Sequence, residues 1–150
     1  MAVLCRNGVR KIILINRTLR RAQALAREFQ KKFPKTRLEA LSLSSKNFSA
    51  HFRKTDLLLN TTSAGLKGSP LPPLPFHRLP PHAVVSDIVY KPPLTPFLKE
   101  AKKAKRKIHG GLGMLLYQGA LAFRIWTGRS APVGVMKKAL LASLRLKPAR

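Results

Sequence analysis

Short apolar runs alternate along this chain with longer stretches of helical period. Ile12-Ile13-Leu14-Ile15 is an unbroken apolar run, rich in β-branched residues, and predicts a strand over 11–15 buried on both faces. Asn16-Arg17-Thr18 stops it, and Thr18 is placed to cap a helix over 19–33. In that helix Leu19, Ala22, Leu25, Ala26 and Phe29 share one face, and Pro34 ends it. Upstream, residues 1–8 read as the tail of a helix closed by Asn7-Gly8. Downstream, weak alternation predicts a strand over 37–43, and residues 46–53 a short helix or turn.

A second short buried strand is predicted at 56–60, followed by the loop Thr61-Thr62-Ser63-Ala64-Gly65. The proline-rich residues 66–82 read as a surface loop outside the core. Residues 83–89 form a third buried strand interrupted by Ser86-Asp87, and Thr95-Pro96 opens a helix to about 103 by a cap-then-proline signature. Residues 107–109 make a short strand ended by Gly110-Gly111. The helix over 112–127 is apolar nearly all round and is expected to be buried on most sides. A last helix runs from 131 to about 144, with a frayed tail at 147–150. Strands alternating with helices define an α/β fold with a mainly parallel sheet.

Composition narrows the class. With 150 residues and 45% hydrophobic content, the chain has material for one domain with a core. A lone cysteine, Cys5, excludes an internal disulfide framework, and no Cys/His cluster has zinc spacing. No signal peptide or membrane-spanning run is visible, which gives a cytoplasmic expectation and no membrane partner. The formal charge of +25 invites polyanions. The cations are nevertheless dispersed, and the aromatics, 7% of the chain, do not interleave with them. A non-enzymatic nucleic-acid-binding module is therefore the alternative and not the favoured reading.

The candidate chemistry lies after the strands, where an open parallel sheet binds its ligand. In a dinucleotide-binding βαβ unit, the end of the second strand reads the adenosine ribose, and an NAD site usually has a carboxylate there. This chain has Asn16, Arg17, Arg20 and Arg21 instead. A forked guanidinium suits a 2′-phosphate and can stack on adenine, so the strand end argues for NADP over NAD.

Four strand-end segments occur in register: Asn16-Arg17-Thr18, Asn60-Thr61-Thr62-Ser63-Ala64-Gly65, Asp87-Ile88-Val89-Tyr90 and Gly110-Gly111-Leu112-Gly113-Met114-Leu115. With Thr95-Pro96-Phe97-Leu98 and Tyr117-Gln118-Gly119, they resemble the C-terminal NADP-binding half of the shikimate dehydrogenase family. The resemblance covers nearly the whole chain. It implies a Rossmann-like, mainly parallel sheet with flanking helices, and places Asn16, Arg17, Thr18 and Arg21 at the 2′-phosphate. By the same resemblance Thr62 lies along the cofactor, Ile88, Gly111 and Met114 near the nicotinamide, and Tyr90 and Gln118 at the substrate. Gln118 is also the one strongly polar non-terminal side chain of an apolar helix, and as a buried amide it would need partners. The bland alternatives are a structural amide at Gln118, an anchoring aromatic at Tyr90, and glycines that only permit a tight turn. Asp87, costly inside a strand unless paired, reads as structural.

The resemblance also implies absences. The first strand and its Gly-rich turn would precede Met1, and no G-x-G-x-x-G run exists in the chain. The N-terminal substrate domain, with the Lys and Asp that act on the transferred proton, is likewise not among these residues. No catalytic residue is therefore assigned. Gly110 stands where the family usually has Asp. The expected role is the cofactor-binding part of an enzyme reducing 3-dehydroshikimate to shikimate with NADPH. Alone it is expected to be inactive, and a separate N-terminal half is an expected partner. A quinate/shikimate dehydrogenase-like oxidoreductase is the alternative within the enzyme class. Without the first strand, its two neighbours are expected either to close on each other or to leave open edges, giving an unstable or partner-dependent chain.

Overall fold

The computed structural model describes residues 1–44, 48–66 and 69–144. The chain divides into two units, Met1–Phe52 and Arg53–Arg150, each with its own sheet.

In the first unit, α1 (Ala2–Arg6) ends at Asn7, and Gly8 takes the left-handed φ of +77° that closes it. Strand β1 (Lys11–Asn16) leads into α2 (Leu19–Lys32), then β2 (Arg37–Ser42), and the unit ends in α3 (Phe48–Phe52). β1 and β2 pair in parallel, Lys11 opposite Arg37 through Asn16 opposite Ser42. Helix α2 packs against both strands and buries Ala22 and Ala26. Leu25, on the rim of the same stripe, is exposed instead of buried. Gln30 ties helix to sheet: its Oε1 accepts the Leu38 N–H at 3.0 Å and its Nε2 donates to the Thr36 carbonyl at 3.1 Å. The run from Ile12 to Ile15 is only half-buried, correcting the strand expected to be buried on both faces. A two-stranded sheet leaves β1 with one open edge, and its side chains keep part of their surface.

In the second unit, β3 (Leu57–Asn60), β4 (Val84–Asp87) and β5 (Lys107–His109) form a parallel sheet in that order. β3 is an edge strand, and Leu57 and Leu59 are exposed where the sequence predicts burial. β1 pairs only with β2, and β3 only with β4, among the described residues. Helix α4 (Pro96–Lys103) packs against β4 and β5. Thr95 caps it as predicted, its Oγ1 accepting the Leu98 N–H at 3.2 Å, with Pro96 in the first turn.

The proline-rich segment is less peripheral than its composition suggests. A 3₁₀ turn (Phe76–Arg78) sends Phe76 into the core, edge-on to Phe97 at 5.3 Å, and Leu79 is buried nearby in sequence. These residues join Ala83, Val85, Leu98 and Ala101 among the second unit's buried apolar residues, to which Leu116 and Leu141 also belong.

Helix α5 (Leu112–Thr127) forms where predicted, ends at Gly128 with φ of +69°, and packs against α6 (Val133–Ser143). Its burial is the main departure from expectation. Only Leu116 is buried, whereas Met114, Tyr117, Leu121, Ile125 and Trp126 stand open, from 46% at Met114 to 82% at Trp126. No described part of the chain covers that face. The short helix or turn predicted over 46–53 is found as α3, with its first residues, 46–47, and the tail at 147–150 lying outside the described residues.

Candidate cofactor site

At the carboxyl end of β1 the backbone turns through Asn16. Its Oδ1 accepts the Thr18 N–H at 2.9 Å, so the side chain and not the Thr18 hydroxyl shapes the helix entry. Asn16, Arg17, Thr18, Arg20 and Arg21 are all exposed around this turn. None of these arginines has an ion pair among the described residues, and the unit's acids are engaged elsewhere. Glu28 pairs with Lys32 at 2.6 Å. Glu39 pairs with Lys11 at 2.7 Å and with Arg37 at 2.6 Å. The Lys11 ammonium, with Arg37 beside it, holds the Glu39 carboxyl below its ordinary value against a smaller opposing effect of burial. The β1 end is thus a cluster of uncompensated cations without a carboxylate, which fits a phosphate-bearing ribose better than a bare one.

In the second unit the strand ends are locked by one hydrogen-bond network. Asn60 and Asp87 are opposite each other in the β3–β4 register, each the last residue of its strand. Asp87 Oδ2 accepts from Thr95 Oγ1 at 2.7 Å and from Asn60 Nδ2 at 3.3 Å, while its Oδ1 accepts the Val89 N–H at 3.1 Å. Asn60 Oδ1 in turn accepts the Thr62 N–H at 3.0 Å and the Thr62 hydroxyl at 2.7 Å. The Thr62 Oγ1 takes the Ala64 N–H at 3.1 Å. Asp87 and Thr95 are each 1% exposed, so this carboxylate survives burial only through these donors. The structural role read for Asp87 holds, and its reach is wider than one loop. It fixes the loop after β3, the loop after β4 and the N-terminus of α4.

Gly111 meets Ile88 directly. A β-carbon at Gly111 would lie 2.0 Å from the Ile88 carbonyl oxygen and 2.9 Å from the Val89 carbonyl carbon. The Gly111 N–H donates to the Val89 carbonyl at 3.2 Å. Only glycine permits this approach. Gly113, by contrast, has open space around it. Two of the predicted positions, Ile88 and Gly111, are therefore brought together, with Thr62 linked to their strand end through Asn60 and Asp87. Tyr90 and Met114 are exposed side chains near these turns in sequence. Gln118 is exposed rather than buried as expected, so water can satisfy its amide. The sequence reading missed Gln30, the structural role of Asn60 and, beyond its capping, the bond from Thr95 to Asp87. The signal for Asn60 was its place at a strand end matching that of Asp87.

Comparison with known proteins is consistent along the chain. The family described as shikimate/quinate 5-dehydrogenase matches residues 1–66, and the shikimate 5′-dehydrogenase C-terminal domain matches residues 111–141. A curated relative from Geobacter sulfurreducens, named shikimate dehydrogenase (NADP(+)), is 36% identical over 144 residues, covering 96% of this chain and 50% of its own length. Among solved structures, the ligand-free 5-ketofructose reductase of Gluconobacter superposes with a TM-score of 0.79 at 33% identity, over 94% of this chain and 50% of that one. The shikimate 5-dehydrogenase of Thermus thermophilus, in complex with NADP(H) and shikimate, does so with a TM-score of 0.69 at 39% identity, over 88% and 46%. The chain spans about half the length of the curated relatives it matches. Its Rossmann-like parallel strands, its strand-end motifs and these relatives agree: the chain belongs to the shikimate dehydrogenase family.

Proposed function

We propose that this chain is the NADP-binding, C-terminal half of a shikimate dehydrogenase, and that residues 1–150 form the incomplete cofactor domain without the substrate domain. One observation carries the reading. The β1 end presents Arg17, Arg20 and Arg21 without an ion pair among the described residues, on a turn set by Asn16 that itself carries no carboxylate. In this reading Asn16, Arg17, Thr18 and Arg21 hold the adenosine 2′-phosphate. Thr62 and the loop it stiffens, Ile88, Gly111 and Met114 line the remainder of the cofactor, and Tyr90 and Gln118 face the substrate. The names of the curated relatives and the NADP-bound structures support the same cofactor.

The chemistry such a cofactor supplies when bound is hydride exchange with an alcohol or its ketone. The chain's own part is to select the phosphate, present the Ile88 carbonyl through the gap at Gly111, and keep three loops in one geometry. Proton transfer falls to groups outside these residues, so reduction of 3-dehydroshikimate to shikimate is not expected from this chain alone. A cytoplasmic setting goes with this reading; among the described residues no helix is long and apolar enough to cross a membrane. Quinate is the second substrate candidate, because the matching family description includes both compounds.

Titration with NADP and with NAD, read by thermal shift at moderate salt, tests the reading. NADP is expected to raise the melting temperature, with about 2.7 kcal/mol of stabilisation at a hundredfold excess over Kd. NAD is expected to leave it unchanged, and Arg17→Ala to remove the NADP response. Equal responses to both nucleotides, or no response at millimolar NADP, overturn it.

A further inference from the structure

We infer that the outward face of α2 is a contact surface for the phosphate backbone of a nucleic acid, distinct from the proposed cofactor contacts of Asn16, Arg17, Thr18 and Arg21. Cations that look dispersed along the sequence are gathered by this helix. Arg20, Arg27 and Lys31 fall within an arc of roughly 40° and span about 16 Å of helix axis. All three are exposed, and none has an ion pair among the described residues. The buried Ala22 and Ala26 lie on the opposite side, where α2 packs on β1 and β2. Ala24, small and exposed, falls within the same arc, so no bulky side chain stands between the cations.

The placement works against the helix's own stability. α2 carries five cations, Arg20, Arg21, Arg27, Lys31 and Lys32, against one acid, and that acid, Glu28, is already held by Lys32 at 2.6 Å. Arg20 and Arg21 stand in the first turn, where the macrodipole favours acids and where this helix has none. Arg27 and Lys31 are like charges four residues apart, an unfavourable spacing. A polyanion laid along the stripe turns each of these repulsions into attraction. Its chemistry also selects among polyanions. Forked guanidiniums at two of the three positions suit phosphate oxygens. The three cations stand about 10 Å and about 6 Å apart along the axis, which engages a row of phosphates better than one compact anion. A protein partner needs apolar or aromatic anchors, and this arc has none. A membrane surface takes up the apolar face of a helix, whereas α2 packs that face on its own sheet. Contacts of this kind hold the backbone and carry no base sequence.

The inference does not rest on the cofactor reading, and its test needs no NADP. The full chain is titrated into a fluorescein-labelled DNA duplex of about 20 base pairs, followed by anisotropy between about 50 and 200 mM NaCl. Each phosphate contact adds about 0.9 to the slope of log affinity against log salt. Arg27→Ala/Lys31→Ala is expected to make that slope shallower by about 1.8 and to weaken binding roughly 10-fold at about 100 mM NaCl. Lys99→Ala/Lys102→Ala removes the same charge from exposed positions of α4 and is expected to change the slope by less than about 0.5. The charge-keeping swap Arg27→Lys/Lys31→Arg should retain the full slope, and duplexes of unrelated sequence should bind alike. The alanine pair is expected to keep or raise the melting temperature, because it removes a like-charge pair and adds strong helix formers. Arg27→Gln/Lys31→Gln makes the same comparison with neutral polar side chains if the alanine pair folds poorly. Absence of binding at the lowest salt overturns the inference. So do equal slope losses from the α2 and α4 pairs, which assign the binding to net charge alone. Preference for phosphatidylserine vesicles over the duplex, with the same dependence on Arg27 and Lys31, overturns it as well.

Discussion

Two glycines separated by one residue in sequence have opposite meanings here. At Gly111 an added methyl would meet backbone, the Ile88 carbonyl at 2.0 Å, and backbone cannot step aside as a flexible side chain can. Gly111→Ala is expected to cost about 3 kcal/mol in urea denaturation. Gly113→Ala, with open space and a helical position, is expected to gain about 0.5 kcal/mol. The sequence alone treats both as a tight-turn pair, because close approach is a property of the neighbouring strand end. Asp87 was legible as a group needing partners, and the partners themselves were hidden until the β3–β4 register set Asn60 opposite it. Removing the acceptor with Asp87→Ala strands the Thr95 hydroxyl and the Asn60 amide, and is expected to cost about 3 kcal/mol. Glu39 gives a pH signature. Its carboxyl is held below its ordinary value in the folded chain, first by Lys11, so the unfolded chain binds that proton more readily. The stabilisation is complete above the unfolded value and is lost as pH falls through the folded one. Glu39→Gln should therefore flatten the acid limb of the stability profile, by a small amount that shrinks further in salt, because all three partners are partly exposed.

Elements were the most legible level wherever local chemistry sets them. Thr95-Pro96 opens α4, Asn7-Gly8 closes α1, and Pro34 follows the end of α2 as the pattern requires. What local pattern does not carry is which surfaces find cover. An apolar helix was read as buried, yet α5 stands largely open, and the amide of Gln118 with it. The same limit worked the other way in the proline-rich segment, where fixed backbone angles were read as surface and Phe76 and Leu79 nonetheless fill the core. Thr95 shows how an element end is coupled to the interior. Its hydroxyl both accepts the Leu98 N–H and donates to Asp87, so Thr95→Ala is expected to cost about 2 kcal/mol, above the ~1 kcal/mol of an ordinary cap. Chemical denaturation of Thr95→Ala beside Thr95→Ser separates the lost hydrogen bonds from lost packing.

For the whole molecule, charge and sheet division dominate. All five acidic residues are already engaged: Glu28, Glu39 and Glu100 in ion pairs, Asp56 in a hydrogen bond with His82, and Asp87 in its buried network. With Lys and Arg exceeding Asp and Glu by 25, mutual repulsion outweighs these pairs, so the melting temperature is expected to rise as NaCl increases from about 20 to 500 mM, opposite to a fold held by surface ion pairs. Whether the separate sheets give a cooperative monomeric transition is the corresponding calorimetric question, and a partner-dependent chain is expected to lack one. The division between Phe52 and Arg53 also sets an order in time. The first unit is complete in sequence before any strand of the second has been synthesised. Its β1–α2–β2 crossover uses only near neighbours, whereas the Asn60–Asp87–Thr95 network awaits residues made later. On the ribosome, then, the first unit can form with β1 open along one edge before the residues of the second core have been made, and that edge is an aggregation hazard for the nascent chain.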